Sequence, residues 1–231
     1  MSKVSIKRDG LKVEVHMRLA IGDKTYSSWS LRAWLAVRAS GADFEEELLP
    51  LDTDAFHKRI REISPAGRVP VLIDGEVTVW DSLAIIEYLA EVRPDAGLWP
   101  ADRAARARAR AVVAEFHSGF FDLRGNYPMN LRRTPASHPL APDASRDIAR
   151  ITEIWRDCRE HYGSKGDFLF GKFGAADCFF APVVSRFLTY QLPLGTVERA
   201  YAQAVMEHPY MLEWRAEAAR ETHRVEADEV E

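Results

Sequence analysis

A cluster of hydroxyl side chains lies in the run TYSSWSLR at residues 25–32, between the first predicted strand and the first predicted helix. A serine hydroxyl at the start of a helix can donate a hydrogen bond to an anion, and the helix dipole adds a favourable potential there. Ser27 and Ser28 are the candidates for this role. The alternative is that one of them only caps the helix, and the run taken alone favours that simpler interpretation.

A proline stands in the segment GRVPVLIDG at residues 67–75, where another strand is predicted to begin. Proline has no N–H to donate to a sheet, so it is tolerated at the first position of a strand. A sharper interpretation is a cis bond at Pro70 that exposes the backbone of Val69. An extended, peptide-like ligand would then pair with Val69 as a short strand does.

Asp81 and Ser82 lie between a predicted strand and a predicted helix. They too can be a simple helix cap. In this case the cap and a binding site coincide, because a helix N-terminus binds a carboxylate through its N–H groups and the Ser82 hydroxyl. Asp81 can pair with an ammonium group beside it. The pair therefore suits the head group of an amino acid.

Residues 1–93 alternate between strand-like and helix-like patterns. The order β-α-β-α-β-β-α predicts a mixed four-stranded sheet with helices on both faces. The Asp74-Gly75 pair predicts a hairpin turn between the last two strands. The predicted elements are strands at 13–20, 44–51, 69–75 and 77–80, and helices at 29–40, 54–62 and 82–93.

Strand patterns are absent after residue 101, so residues 101–231 are predicted to form a helical bundle. The run PDAGLWPAD at 94–102, which contains two prolines and a glycine, is the predicted linker. Four helices are expected, at 101–124, 143–162, 175–190 and 196–220. The acidic end EADEVE, at 226–231, is expected to be frayed and without a functional role.

Composition narrows the class of partner. The net charge of −4 gives no basic field for a nucleic acid, and the arginines of residues 103–110 are scattered around their helix. Neither a signal-peptide pattern nor a membrane-spanning apolar run is found, which predicts a cytoplasmic protein without membrane contact.

The histidines lack metal-binding spacing, so no metal is expected. Cys158 and Cys178 are expected to be buried as small hydrophobic residues.

Taken in order, SSWSLR, GRVPVLIDG and WDSLAIIEYLAE followed by helices resemble the glutathione S-transferase family, over nearly the whole chain. The run is most similar to serine-type bacterial, zeta-like and plant-like members. The resemblance implies a thioredoxin-like N-terminal domain, an all-helical C-terminal domain and a homodimer. It also implies glutathione as co-substrate.

The resemblance assigns roles to particular residues. Ser27, with Ser28 as alternative, would stabilise the glutathione thiolate. Val69, beside a cis Pro70, would bond the cysteinyl backbone, while Asp81 and Ser82 would hold the γ-glutamyl group. Arg68 and His57 would meet the glycyl carboxylate. Two positions depart from the family pattern: Asp81 replaces a longer Glu, and Gly174 replaces the Ser or Thr of a capping box that keeps its Asp177.

The proposed chemistry is energetically reasonable. Lowering the pKa of a thiol from about 8.5 by roughly two units requires about 2.7 kcal/mol. A hydrogen bond to the anion supplies roughly 1.5 to 3 kcal/mol, and a helix N-terminus adds about 0.3 to 1 kcal/mol. A serine hydroxyl at the end of a helix is therefore sufficient without a metal or a covalent enzyme intermediate.

The second substrate is expected to be a small, apolar electrophile, which the sequence does not identify. Aromatic residues near one helix end predict an apolar acceptor pocket, although each can equally be a core residue. The candidates are Trp29, Phe116, Phe120, Tyr127 and Met129. Two alternatives to a transferase remain, a maleylacetoacetate-isomerase-like enzyme and a non-catalytic adaptor on the same fold. Trp29 weakens the first, since that class has cysteine there.

Overall fold

The computed structural model describes residues 7–8, 11–12 and 17–230. Two short strands, β1 (Lys7–Arg8) and β2 (Leu11–Lys12), pair antiparallel. A larger sheet and three helices then follow in the predicted order. They are β3 (Met17–Ile21), α1 (Ser28–Ser40), β4 (Phe44–Leu48), α2 (Asp54–Ile63), β5 (Val71–Asp74), β6 (Val77–Trp80) and α3 (Ser82–Val92). Residues 13–16 of the first predicted strand lie outside the described residues.

The larger sheet has the strand order β4-β3-β5-β6, which confirms the predicted mixed four-stranded sheet of the thioredoxin-like type. β3 is parallel to β4, and β5 is antiparallel to both β3 and β6. Ala20 pairs with Val71, and Val71 pairs with Trp80. Because of these directions, the end of β3, the start of β5 and the end of β6 lie at one edge of the sheet.

The first helix, α1, is buried along nearly its whole length. Its apolar side chains contact α3 of the sheet unit on one side and helices of the C-terminal part on the other. The helix ends at Gly41, whose φ of 68° lies in the left-handed region that glycine adopts without a Cβ penalty. Since α1 is fixed from both sides, its N-terminus has a defined position relative to the sheet edge.

The remainder of the described chain is helical, as predicted, but two predicted helices are each divided in two. The first breaks at Gly119, which is extended, and Phe120, which has a φ of 62°. The second breaks at Pro209, which has no N–H for a continuing helix and starts the next one. The helices are α4 (Arg103–Ser118), α5 (Phe121–Asn126), α6 (Ser145–Tyr162), α7 (Ala175–Thr189), α8 (Thr196–Glu207) and α9 (Pro209–Ala218).

The start of α7 explains why glycine stands at position 174. A Cβ there would lie 2.7 Å from the backbone oxygen of Leu98, which also accepts a hydrogen bond from Ala175 N at 2.8 Å. The Asp177 carboxylate accepts hydrogen bonds from the N–H groups of Gly174 at 2.9 Å and Leu169 at 3.1 Å. Asp177 therefore caps the helix without a hydroxyl at position 174. Burial raises the pKa of Asp177 to about 7.

The main hydrophobic core runs through both the sheet unit and the helices, while a smaller cluster lies under α2. Cys158 and Cys178 are free and buried in the main core, as predicted, and burial raises the pKa of both thiols. Among the described residues, the longest helices are too polar or too short to cross a bilayer.

The C-terminal segment differs from its prediction. Instead of fraying, residues 226–228 form a short 3-10 helix, and the Glu229 carboxylate accepts hydrogen bonds from Tyr26 and from Asn130. The Glu229 side chain therefore has partners in the folded protein, which the charge pattern alone did not show. Through Tyr26, this segment reaches the loop that precedes α1.

Candidate active site

Ser27 is the N-cap of α1, and its side chain is only 7% exposed. Its Oγ accepts a hydrogen bond from the N–H of Ser30 at 3.3 Å and lies 2.7 Å from the Oγ of Ser30. Ser27 therefore caps α1, as the capping interpretation predicted. Capping uses the acceptor capacity of the hydroxyl, so it does not exclude donation to a ligand.

Ser30 is a residue of this corner that the sequence analysis did not single out. It is fully buried, and its Oγ also accepts a hydrogen bond from Gly22 N at 3.0 Å. A hydroxyl can donate one proton while it accepts. When Ser30 donates to Ser27, the Ser27 proton is free for a further acceptor. The spacing S-x-x-S at 27 and 30 was the available signal.

Ser28, the alternative to Ser27, is the first residue of α1 and is also buried. Its hydroxyl has no hydrogen-bond partner among the residues that the structure describes. The same holds for the N–H of Trp29 in the first turn of the helix. Both groups are donors at the positive end of α1, where an anion is stabilised.

The bond between Val69 and Pro70 is cis, as predicted, while the pairing of Val69 with a ligand stays a prediction. β5 begins directly afterwards at Val71. Within the described part of the chain, neither the N–H nor the C=O of Val69 has a hydrogen-bond partner. The half-buried Val69 therefore presents unpaired backbone groups at the end of a strand, where an extended ligand can pair with them.

Asp81 is the N-cap of α3 and has a φ of 75°, which is uncommon for a residue other than glycine. One of its carboxylate oxygens accepts a hydrogen bond from Leu83 N at 2.8 Å, and the other lies 3.5 Å from His117 Nε2. The neighbouring Ser82 is fully buried, and its Oγ has no partner among the described residues. A buried, unpaired hydroxyl at a helix N-terminus is suited to receive a polar ligand group.

Arg68 and His57 lie near these segments but are exposed. Arg68 directly precedes Val69. His57 lies in α2, and its ring centroid is 5.4 Å from that of Phe56. Neither side chain contacts Ser27, Asp81 or Ser82 in the described structure. Their role in holding a carboxylate stays a prediction.

The five acceptor candidates fall into two groups. Phe116, Tyr127 and Met129 are fully buried, and the Tyr127 hydroxyl donates to the backbone oxygen of Pro139 at 3.1 Å. Phe120 is also buried, with its ring centroid 5.5 Å from that of Phe116. Trp29 alone of the five is half-buried. Burial agrees with the core interpretation for four of the candidates, and the role of the partly exposed Trp29 in binding a second substrate stays a prediction.

Cationic side chains surround Trp29, which the sequence analysis did not anticipate. The guanidinium of Arg32 lies 4.3 Å from the ring centroid of Trp29, and that of Arg124 lies 5.1 Å from it. Arg32 is fully buried, and its guanidinium has no hydrogen-bond partner among the described residues. Burial lowers the pKa of Arg32 and lowers that of Arg124 to about 10.

His117 completes this group. Its ring contacts Trp29 edge-on at a centroid distance of 5.4 Å. Burial lowers the pKa of His117, although the carboxylate of Asp81 opposes the shift. The imidazole is therefore neutral near pH 7. Across the described residues, no group of three or more His, Cys, Asp or Glu side chains is arranged to hold a metal ion.

Comparisons with known proteins agree with this geometry. A family model described as the glutathione S-transferase N-terminal domain matches residues 26–92, and a model of the C-terminal domain of the same family matches residues 141–218. Together the two models cover well over half of the chain.

Two curated relatives each match about two fifths of the chain. A probable maleylacetoacetate isomerase from Caenorhabditis elegans is 40% identical over 98 residues, which is 42% of this chain and 45% of the relative. Glutathione S-transferase Z1 from Arabidopsis thaliana is 37% identical over 100 residues, which is 39% of this chain and 44% of the relative. The chain thus spans less than half the length of these relatives.

A solved structure matches over a greater length. It is a glutathione transferase homolog from Burkholderia with bound glutathione, 25% identical, with a TM-score of 0.67. The alignment covers 87% of this chain and 97% of that structure. The chain belongs to the glutathione S-transferase family.

Proposed function

We propose that the chain is a glutathione transferase that binds glutathione along the sheet edge, with the thiolate beside Ser27. The observation that carries this proposal is the strand register. Ala20, Val71 and Trp80 are paired across β3, β5 and β6. Ser27 follows the end of β3, Val69 precedes the start of β5, and Ser82 follows the end of β6, so all three lie at one edge of the sheet. Three strands about 4.8 Å apart span about 10 Å, which is the length of an extended tripeptide.

Each part of the tripeptide meets a suitable group under this proposal. The cysteinyl backbone pairs with the free N–H and C=O of Val69, next to the cis Pro70. The γ-glutamyl carboxylate accepts hydrogen bonds from the unpaired hydroxyl of Ser82 and from an N–H at the start of α3. The Asp81 carboxylate faces the ammonium group. Arg68 and His57, which are exposed near the other end, meet the glycyl carboxylate.

Thiol ionisation is assigned to Ser27, with Ser28 as the alternative. The hydroxyl oxygens of Ser27 and Ser30 lie 2.7 Å apart, with Ser27 donating to Ser30, which orients the Ser27 oxygen. When glutathione is bound, the Ser27 hydroxyl turns its hydrogen to the thiolate and accepts a hydrogen bond from Ser30 instead. The unpaired N–H of Trp29 and the end of the α1 dipole add to the same potential. The thiolate then adds to a small electrophile that lies against the Trp29 ring.

A second candidate reaction is glutathione-dependent isomerisation. It is favoured by the relative named as a probable maleylacetoacetate isomerase, which is 40% identical to this chain over 98 residues. Trp29 in place of a cysteine argues for the transferase. Conversion of maleylacetoacetate without consumption of glutathione distinguishes the isomerase, because conjugation consumes one thiol per turnover.

The first experiment is to measure glutathione binding by calorimetry and by thermal shift for the wild type, Ser82→Ala and Ser118→Ala. Ser118 is an exposed serine outside the site whose hydroxyl only bonds the backbone of its own helix, so its variant is the matched control. We expect binding about tenfold weaker in Ser82→Ala and unchanged in Ser118→Ala. The absence of any stabilisation of the wild type at millimolar glutathione would instead favour a non-catalytic adaptor.

The oligomeric state and location also belong to this proposal. The homodimer is inferred from the family, and the cytoplasmic location from the sequence. Analytical ultracentrifugation at several protein concentrations tests the homodimer directly.

A further inference from the structure

The loop between β3 and α1, residues 22–27, is buried and is held from the C-terminal side of the protein. The backbone oxygen of Lys24 accepts a hydrogen bond from Trp214 Nε1 at 2.9 Å. The ring of His223 lies 3.0 Å from the carboxylate of Asp23. The loop that ends at Ser27 is therefore built partly from residues about 190 to 200 positions later in the chain.

Glu221 makes the densest set of contacts to this loop. One carboxylate oxygen accepts a hydrogen bond from the N–H of Lys24 at 2.7 Å. The other accepts from the N–H of Thr25 at 2.9 Å and from the Thr25 hydroxyl at 2.8 Å. A single carboxylate thus binds two consecutive backbone amides in a buried loop, and hydrogen bonds to a charged acceptor are the stronger kind.

The two amides lie inside the turn that fixes Ser27. The backbone oxygen of Asp23 accepts hydrogen bonds from Tyr26 N at 3.2 Å and from Ser27 N at 2.8 Å. Lys24 and Thr25 are central residues of this turn. Since Glu221 determines where their N–H groups point, it also determines the orientation of the peptide that leads into Ser27.

Glu221 is itself fixed. Its N–H donates to the backbone oxygen of Ala218 at 3.2 Å, just after α9 ends. Arg132 donates to the backbone oxygen of Glu221 and, at 2.8 Å, to that of His223. Another Arg132 hydrogen bond reaches the hydroxyl of Tyr26 at 2.6 Å, so the same guanidinium connects this segment to the loop.

We propose that Glu221 is a positioning residue for thiol activation, which holds the Asp23–Ser27 turn so that the Ser27 hydroxyl faces the glutathione sulfur. The inference rests on the proposed function of Ser27. It assigns no contact between Glu221 and the substrate, and it gives the C-terminal segment a part in the chemistry of the N-terminal loop.

The test compares the full-length wild type with Glu221→Ala, Glu221→Gln and Glu226→Gln. Glutamine keeps one acceptor oxygen and the shape of the side chain. Glu226 lies in the same segment, its side chain is 84% exposed, and it approaches only Arg224, so its variant is the control. The measurements are the pH at which bound glutathione ionises, kcat and KM for glutathione, and the melting temperature.

For Glu221→Ala we expect ionisation of the bound thiol at a pH about one unit higher, and kcat about tenfold lower below that pH. KM for glutathione should stay within about twofold, because Glu221 does not touch the tripeptide. Glu221→Gln should lie between the alanine variant and the wild type, and Glu226→Gln should match the wild type.

The proposal is overturned if both Glu221 variants ionise bound glutathione at the wild-type pH and only their melting temperature falls. If Glu221→Ala does not fold, Glu221→Gln and Thr25→Val test the proposal instead, since each removes only part of the contact between Glu221 and the loop. Failure of the proposed function is distinguishable: in that case the wild type itself does not bind glutathione, or Ser27→Ala leaves thiol ionisation unchanged.

Discussion

The sheet edge and the packing around Trp29 use their polar groups in opposite ways. At the sheet edge, the backbone of Val69 and the hydroxyl of Ser82 have no partner among the described residues, although Ser82 is the first residue of α3 and Val69 lies just before β5. Around Trp29, the guanidinium groups of Arg32 and Arg124 are pressed against aromatic faces. One region keeps polar groups free for a ligand, and the other encloses them.

These two regions depend on side-chain packing to different degrees. Cation–π contacts offset part of the cost of burying a charge, so the arginines can lie in an apolar environment. The sheet edge needs no such compensation, because strand ends and helix N-termini leave polar groups free by their geometry. The following predictions test whether the two regions respond to substitution as differently as their contacts indicate.

The largest expected effect is on stability, from Tyr127→Ala. The Tyr127 ring is fully buried and lies 5.3 Å from the ring of Tyr190, so truncation leaves a cavity and removes a hydroxyl bond. We expect a loss of about 3 to 5 kcal/mol in the free energy of unfolding by denaturant titration. A stable variant with an altered KM for the electrophile would instead place Tyr127 in the acceptor pocket.

A pH-dependent effect is expected from Asp177. Its folded pKa of about 7 lies above its ordinary value of 3.8, so between these values the unfolded chain releases the proton while the folded protein keeps it. The contribution of Asp177 to stability is therefore complete below about pH 4 and is lost as the pH rises to about 7. Urea unfolding of wild type and Asp177→Asn across this range measures it. An advantage of the wild type that grows with pH would show that the Leu169 and Gly174 N–H groups keep the carboxylate ionised.

Variants of Arg32 test how the buried charges around Trp29 affect the free energy of unfolding. Methionine fills a similar volume without a charge, so we expect Arg32→Met to be neutral or to stabilise the fold by about 1 to 2 kcal/mol. Arg32→Ala should destabilise it by about 2 kcal/mol, because the contacts with Trp29, Phe116 and Phe179 are lost. Thermal and chemical unfolding of both variants give the comparison. Strong destabilisation by methionine would mean that the charge itself holds the two regions together.

The smallest effect is expected from Ser30→Ala, which removes the hydroxyl that bonds Ser27 but leaves Ser27 in place. The bound thiol should ionise less than one pH unit higher, with kcat reduced about threefold to tenfold. A pH–rate profile checks this, with Ser118→Ala as the exposed control. An effect as large as that of Ser27→Ala would make Ser30 the principal donor.

The sequence predicted the sheet edge well because its information is local. A proline before a strand, a hydroxyl at a helix start and the Asp81-Ser82 cap each restrict the backbone within a few residues, and the cis bond at Pro70 is present. The mixed four-stranded sheet also followed from the alternation of elements. Two predicted helices, at 101–124 and 196–220, were wrong because each is interrupted once. The breaks lie at Phe120 and at Pro209.

The packing around Trp29 and the C-terminal contacts could not be predicted from local patterns. The burial of Arg32 depends on Phe116 and Phe179, which approach it from other helices. Glu221 meets Lys24 and Thr25 across about 196 positions of sequence. Composition described the end of the chain as an acidic tail, because charge alone does not indicate which backbone amides a carboxylate will bind.

The most direct test of the account is the pH at which glutathione ionises when it is bound to the wild type, Ser27→Ala and Ser28→Ala, followed by thiolate absorbance. The wild type should ionise the thiol about two pH units below its free value near 8.5. Ser27→Ala should return the ionisation close to the free value, and Ser28→Ala should leave it near that of the wild type. Ionisation of the bound thiol at the wild-type pH in Ser27→Ala, whether or not Ser28→Ala is affected, would show that Ser27 does not stabilise the thiolate.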